Sequence, residues 1–324
     1  MAKSMVSISN TATIERLSGS ARLRGKPRSP IGDAVRTILG NPAALAGLGV
    51  VLLWLVLALL APVLPIENPE TVLLERKLQP PSLEHPFGTD DVGRDLVSRV
   101  IWAARVSVPV GIVVVLITLV IGSIIGAIAG YLGGWVDSII MRTCDAVLSF
   151  PSIILAMAIA AARGGPGLEN AMVAVILVLW PEYARLMRSL VLSIKHNDYV
   201  LAAQSVGASE KRILFRHIFP STDAPIVVKA TLDVGYAIVL TAGLSFLGMG
   251  AVPPTAEWGS MVSQGSRTGL QYWWYSTFPG LAIMSVVMAL SFFGDGLRDA
   301  STPLAGRLGT NSSIDGLRFC RPRL

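Results

Sequence analysis

Six stretches of the 324-residue chain run almost without polar interruption: residues 43–64 and about 106–130, 138–162, 170–190, 224–248 and 277–296. Each approaches or exceeds the ~18–20 apolar residues that let a helix cross a ~30 Å hydrocarbon core. The first, AALAGLGVVLLWLVLALLAPVL, is closed by Pro62 and Pro65 and followed by a polar, proline-rich stretch. A backbone in lipid must satisfy its own hydrogen bonds, so these spans are predicted to be helices. The pattern predicts an all-α integral membrane protein with six transmembrane helices. Residues 1–42 form a leading tail, 43–300 the membrane domain and 301–324 a closing tail.

Composition agrees. Only 15% of residues are charged and 52% are apolar, with a mean hydropathy of +0.60, whereas soluble domains carry about 25% charged residues. The first apolar run begins too late for the core of a secretory signal, so the leading segment reads as cytosolic. Most of the 27 Lys and Arg residues fall in the two tails and the 191–223 loop. By the positive-inside rule, both termini and that loop are cytosolic. The same placement accounts for the net charge of +6 without nucleic acid. Cys144, Cys320 and the three histidines are scattered, so neither a disulfide framework nor a metal-ligand spacing is present.

Within the second run Gly122, Gly126, Gly130 and Gly134 recur every four residues. That ladder lets another helix approach closely, within the bundle or from a partner. The YWWY at 272–275 reads as an aromatic marker of the outer interface.

The loop contains LAAQSVGASEKRILFRHIFP (201–220), basic and hinged on a glycine. Asn197 or Asp198 is placed to cap a short helix carrying Tyr199, Ala202, Ala203 and Val206, with Gly207 just past its end. Ser209 is placed to cap a second helix that ends before Pro220, with Leu214, Phe215, Ile218 and Phe219 as an apolar patch. Small residues on one helix and large or basic ones on the other make a docking knob. An amphipathic loop resting on anionic lipid fits the same composition.

Among the charges inside the apolar runs, four are candidates for a pathway or pairing role. Lys229 and Asp233 are one turn apart; at ~1.5 Å per residue Lys229 sits ~8 Å deep, within snorkelling reach of the surface, and Asp233 ~14 Å deep. Asp233 therefore belongs either to an intrahelical pair with Lys229 or to a wet pathway. Asp145 and Glu182 are further candidates, Glu182 following a kink-forming Pro181.

The order of Ala202, Ala203, Gly207, Ile218 and Pro220 resembles the EAA loop of ATP-binding-cassette (ABC) importer permeases. HPFGTDDVGRDLVSRVIWAARVSV (85–108), GYLGGWVDSIIMRTCDAVLSFPSIILAMAIAA (130–161), AGLSFLGMGAVPPTAEWGSM (242–261) and FPGLAIMSVVMALSFFGDGLRD (278–299) look like the second, C-type membrane subunit of dipeptide, oligopeptide and nickel importers. Two positions depart: Leu201 replaces the acidic residue of the motif, and Ser221 stands where Asn is frequent. An acidic contact to the ATPase is not carried over.

The resemblance implies a type I importer permease in a prokaryotic inner membrane. Ala202, Ala203, Gly207, Ala208, Ser209, Arg212, Phe215, Ile218 and Pro220 would couple to the ATPase. Its partners would be a second permease subunit, two ATP-binding subunits and an external solute-binding protein, besides membrane lipid. ATP and Mg would sit on the ATPase subunits, since GSARLRGKP (19–27) fails the phosphate-loop spacing and this chain binds no cofactor itself. Relatives of this kind carry dipeptides, longer peptides, nickel chelates, sugars or opines. The residues alone also allow an ion- or proton-coupled secondary transporter using Asp145, Glu182 and Asp233. A membrane enzyme is disfavoured because no nucleophile–base or metal constellation exists.

Overall fold

The computed structural model describes residues 39–301, so nearly all of both predicted tails, Cys320 included, lies outside the described residues. Within them all regular elements are helical, and Thr89 and Asp95 form an isolated antiparallel bridge.

Helix α1 (Pro42–Leu60) begins where Asn41 Oδ1 accepts the Ala43 and Ala44 N–H groups at 3.1 and 3.3 Å, with Pro42 at the first helical position. Helix α2 (Leu96–Leu132) is capped by Asp95, whose Oδ2 accepts the Ser98 N–H at 2.8 Å. It starts ten residues before the predicted span and ends at Gly133–Gly134, both with positive φ. The predicted continuous span 138–162 is corrected. The chain forms α3 (Gly134–Leu148) and α4 (Ser152–Ala162), which meet at 96°. Pro151 sits at the break, where a residue without an N–H cannot continue the preceding helix.

Helix α5 (Leu168–Ile194) contains the predicted fourth span, with Glu182, Arg185 and Arg188 in its second half. After it come the short α6 (Asp198–Ser205) and α7 (Glu210–Ile213), a π turn at Leu214–Ile218 and a 3-10 turn at Phe219–Ser221. Helix α8 (Asp223–Phe246), α9 (Trp258–Thr268) and α10 (Trp273–Ser301) complete the bundle. Among the described residues, four helical segments are long and apolar enough to cross a membrane: α1, α2, α8 and Leu270–Ala300. The bent α3–α4 pair makes a fifth if it counts as one span.

The apolar core has three parts. Val114, Val115, Ala174, Val178, Tyr183 and Leu244 join α2, α4, α5 and α8. Leu96, Val100, Trp258, Met261 and Tyr275 join α1, α2, α9 and α10. Ala127, Met187, Val191, Val200, Ile213 and Ile218 anchor the 198–221 segment to the ends of α2 and α5.

The glycine ladder serves the α2–α5 contact. A Cβ on Gly122 would lie 2.5 Å from the Tyr183 Cβ, one on Gly126 2.2 Å from the Ala184 carbonyl oxygen, and one on Gly130 3.0 Å from that of Arg188. The packing is therefore within this chain. Gly134 is no rung of it: α2 has already ended, and a Cβ there meets nothing.

Candidate functional site

Three polar regions stand out. The first is the knob at residues 198–221. Helix α6 closes on Gly207, whose φ of +81° a residue with a side chain rarely adopts. The Gly207 and Ala208 N–H groups return to the carbonyls of Gln204 and Ala203 at 2.9 and 3.1 Å, satisfying the end of the helix. Asn197 and Ser209 hold the N-cap positions with extended backbone, but neither side chain makes the expected capping hydrogen bond.

Burial divides the candidate coupling residues. Ala202, Ser209, Arg212, Phe215 and Pro220 are exposed, while Ala203 and Ala208 are half-buried against the knob's own core. Ile218 is 0% exposed, so it supports the knob from within and is corrected as a surface contact. Val206, at 88%, is the most exposed large apolar residue of the knob, and Phe215 follows at 54%. Leu201 is also exposed, and Ser221 Oγ donates to the His217 carbonyl at 3.1 Å and meets Tyr199 Oη at 3.3 Å.

The second region is a charged wall on α3, α5 and α8. Lys229 does not snorkel to the surface. Its Nζ lies 2.8 Å from Glu182 Oε2 on α5 and 3.0 Å from Asp233 Oδ2 on its own helix, with the Tyr183 ring centroid at 5.2 Å. The structure thus brings together three of the four intramembrane candidates. The fourth, Asp145 on α3, pairs with Arg185, and Asp137 pairs with Arg188. Sequence reasoning missed these last partners. The signal was present in the spacing of 182, 185 and 188, which places three charges along one side of α5.

The third region is a cap at the opposite end of α2 from the knob. Asp90, fully buried, accepts from Arg94 Nε at 2.6 Å and from the Val92 and Arg94 N–H groups, with Arg99 Nε at 3.5 Å. His85 Nδ1 lies 3.0 Å from Asp95 Oδ1. Tyr275 Oη lies 3.0 Å from Asp91 Oδ1 and 2.7 Å from the Gln264 side-chain amide, its one proton serving one of them, and Trp274 Nε1 donates to the Thr89 carbonyl at 3.3 Å. The YWWY motif is therefore corrected: Trp274 and Tyr275 are buried pins holding the cap, and Trp273 is its exposed large aromatic. Glu257 caps α9, accepting the Gly259 and Ser260 N–H groups at 2.8 Å each. Burial pushes its carboxyl above the ordinary range, against the opposing pull of those donors.

Among the described residues no group of three His, Cys, Asp or Glu side chains is placed to hold a metal ion.

Residues 122–306 match the family model described as "Binding-protein-dependent transport system inner membrane component", and residues 29–81 match "N-terminal TM domain of oligopeptide transport permease C". The chain is 46% identical over 283 residues to the dipeptide transport system permease protein DppC of Escherichia coli (strain K12), covering 86% of this chain and 94% of that protein. It is 44% identical over 267 residues to the probable D,D-dipeptide transport system permease protein DdpC of the same strain, covering 82% and 89%. To the DppC of Alkalihalophilus pseudofirmus it is 42% identical over 275 residues, covering 85% and 90%.

Proposed function

We propose a role that proceeds from one premise: this chain belongs to the binding-protein-dependent transport system inner membrane components, the permease subunits of ABC importers. It is a multi-pass membrane subunit of a transport system. The ion-coupled alternative left open by the residues alone falls with that premise. The cargo we assign is a dipeptide or a similar short peptide, because relatives sharing 42–46% of their residues over nearly their full length carry dipeptide names.

In this reading the bundle crosses a prokaryotic inner membrane six times, α5 included, with both termini and the knob in the cytosol. It pairs with a second permease subunit and receives cargo from an external solute-binding protein. ATP and Mg are handled by two ATP-binding subunits, and the knob enters a cleft on one of them. The observation that supports docking is the division of burial. Val206 and Phe215 project from a segment whose underside, Ile213 and Ile218, is packed solid. A rigid segment with exposed apolar anchors suits a preformed cleft.

The charged wall supports a second assignment. Glu182 is 40% exposed, Arg185 47% and Asp145 64%. Ionised groups facing acyl chains are costly, so this wall lines the path or the second permease. The apolar outer faces of α1 and α2, with Leu52, Leu53, Leu116 and Ile117 exposed, suit lipid.

Val206→Asp, Phe215→Asp and Ile218→Ala separate surface from support. A carboxylate pressed into an apolar cleft is strongly penalised. Both aspartate variants are expected to lose copurification of the ATPase and uptake of labelled Ala-Ala, with unchanged melting of the permease. Ile218→Ala is expected to lower stability by about 2–5 kcal/mol through its cavity. Wild-type ATPase binding and uptake in both aspartate variants would instead make the knob a lipid-resting loop.

A further inference from the structure

The three ion-pair groups on the charged wall are not equivalent. Arg185 with Asp145 and Arg188 with Asp137 are balanced one to one. Lys229 alone serves two carboxylates, Glu182 and Asp233, which leaves an excess negative charge. Lys229 holds Glu182 through Oε2 only, and Glu182 is the more exposed of the two acids, so its Oε1 is open.

Tyr183 adds an independent observation. The residue is 1% exposed, its hydroxyl is fully buried, and Lys229 Nζ lies 5.2 Å from its ring centroid. Tyr183 thus closes the buried side of the cluster, with Lys229 over its ring.

Resting on the reading that this wall lines the path, we propose that the Glu182–Lys229–Asp233 cluster is a stopping point for the protonated amino group of the cargo. An ammonium offers three donors and no acceptor. Glu182 Oε1 and the outer side of Asp233 accept from it, and the added positive charge neutralises a group that is otherwise costly in a low-dielectric setting. Lys229 keeps the two acids apart and aimed, so they cannot collapse onto each other by sharing a proton. A cargo whose amino group is blocked or missing gains nothing here. The site thus favours free amino termini over acylated ones, and amines over carboxylates of the same size.

The potential at the cluster can be read directly. Tyr236 is exposed on α8, seven residues and nearly two turns beyond Lys229 on the same face. Tyr236→Cys, in a background with Cys144→Ser and Cys320→Ser, is labelled in the complete transporter in membranes. The two reagents are methanethiosulfonates carrying trimethylammonium or sulfonate. One unit charge several ångströms away in a wet cleft changes local cation and anion concentrations about threefold each, in opposite directions. With each rate taken relative to that of the same reagent with a free thiol in solution, the cationic reagent is expected to react about tenfold faster. Glu182→Gln or Asp233→Asn should abolish that preference.

Uptake of labelled Ala-Ala is measured alongside. Losing one charge-assisted hydrogen bond should slow it about tenfold in Glu182→Gln. The double variant Glu182→Gln/Lys229→Met should recover both the preference and the uptake, because Asp233 then stands as one unneutralised carboxylate. If the cluster merely ties α5 to α8, the double variant loses both ion pairs and does not recover. Equal labelling by the two reagents, or no recovery in the double variant, overturns the amino-group site while the pathway reading stands. No labelling by either reagent in a transporting complex overturns the pathway reading itself, and this inference with it.

Discussion

Gly126 offers the sharpest test of how the bundle is held. A Cβ placed there lies 2.2 Å from the Ala184 carbonyl oxygen and 2.7 Å from the Ala184 Cα, both backbone atoms of α5. Ordinary contact begins near 3.4 Å, so Gly126→Ala must part α2 and α5 by more than an ångström. Neither atom is the end of a flexible side chain that could turn aside. Overpacking of this kind costs about 1–3 kcal/mol. The matched control is Gly280→Ala in α10, where a Cβ meets nothing within 4 Å and no positive φ is present. Replacing a mid-helix glycine by alanine in open space is expected to be neutral or to gain up to about 1 kcal/mol. The same chemical change therefore has opposite signs at two sites. Melting of the detergent-solubilised transporter, followed by fluorescence-detected size exclusion, compares them. If Gly126→Ala melts with the wild type, the close approach of α2 and α5 does not hold the bundle together.

Two outcomes concern the cap. Asp90→Asn leaves Arg94 and Arg99 buried without their shared carboxylate, and removing one member of such a group costs about 3–5 kcal/mol; limited proteolysis should then cut between residues 61 and 95 well below the wild-type melting temperature. Glu257 has a folded-state pKa raised above its ordinary 4.5, so the folded state holds the proton more tightly. Its contribution is greatest at low pH and is lost as pH rises through the raised value. The melting temperature of the wild type relative to Glu257→Gln should rise as pH is lowered from neutrality towards 5, and a flat difference would show that the carboxyl titrates normally.

What the sequence makes legible is what local spacing controls. Gly122, Gly126 and Gly130 announce a close helix contact by their period alone, because side chains four apart share a face. The helix, glycine, helix order of 198–220 is equally readable, since Gly207 relieves a strain that arises within three residues. Pairings across the bundle were not readable. Lys229 looked able to snorkel because its own helix allows it, yet Glu182, 47 positions earlier, captures it at 2.8 Å. Whether two such residues meet depends on how α5 and α8 are rotated, and that rotation is set by Tyr183, Ala184 and their neighbours packing on α2. The cap was hidden for the same reason: Asp91 and Tyr275 lie 184 positions apart.

The knob shows where period-based reading gives out inside a single short segment. A helical wheel groups Leu214, Phe215, Ile218 and Phe219 on one apolar arc. In the structure Ile213, Leu214 and Ile218 turn inward, and Phe215 turns out. Between Glu210 and Ser221 the backbone passes from an α turn through a π turn to a 3-10 turn. These forms advance by different angles per residue, so no single period assigns their faces. Pro220 supplies part of the cause: it donates no N–H, and the two residues around it tighten into the 3-10 turn instead of continuing the helix. The consequence bears on function. The two residues that combine large apolar surface with strong exposure, Val206 and Phe215, flank the Gly207 bend, one on each side. A partner cleft that grips both is therefore sensitive to the bend itself, and not only to the side chains it holds.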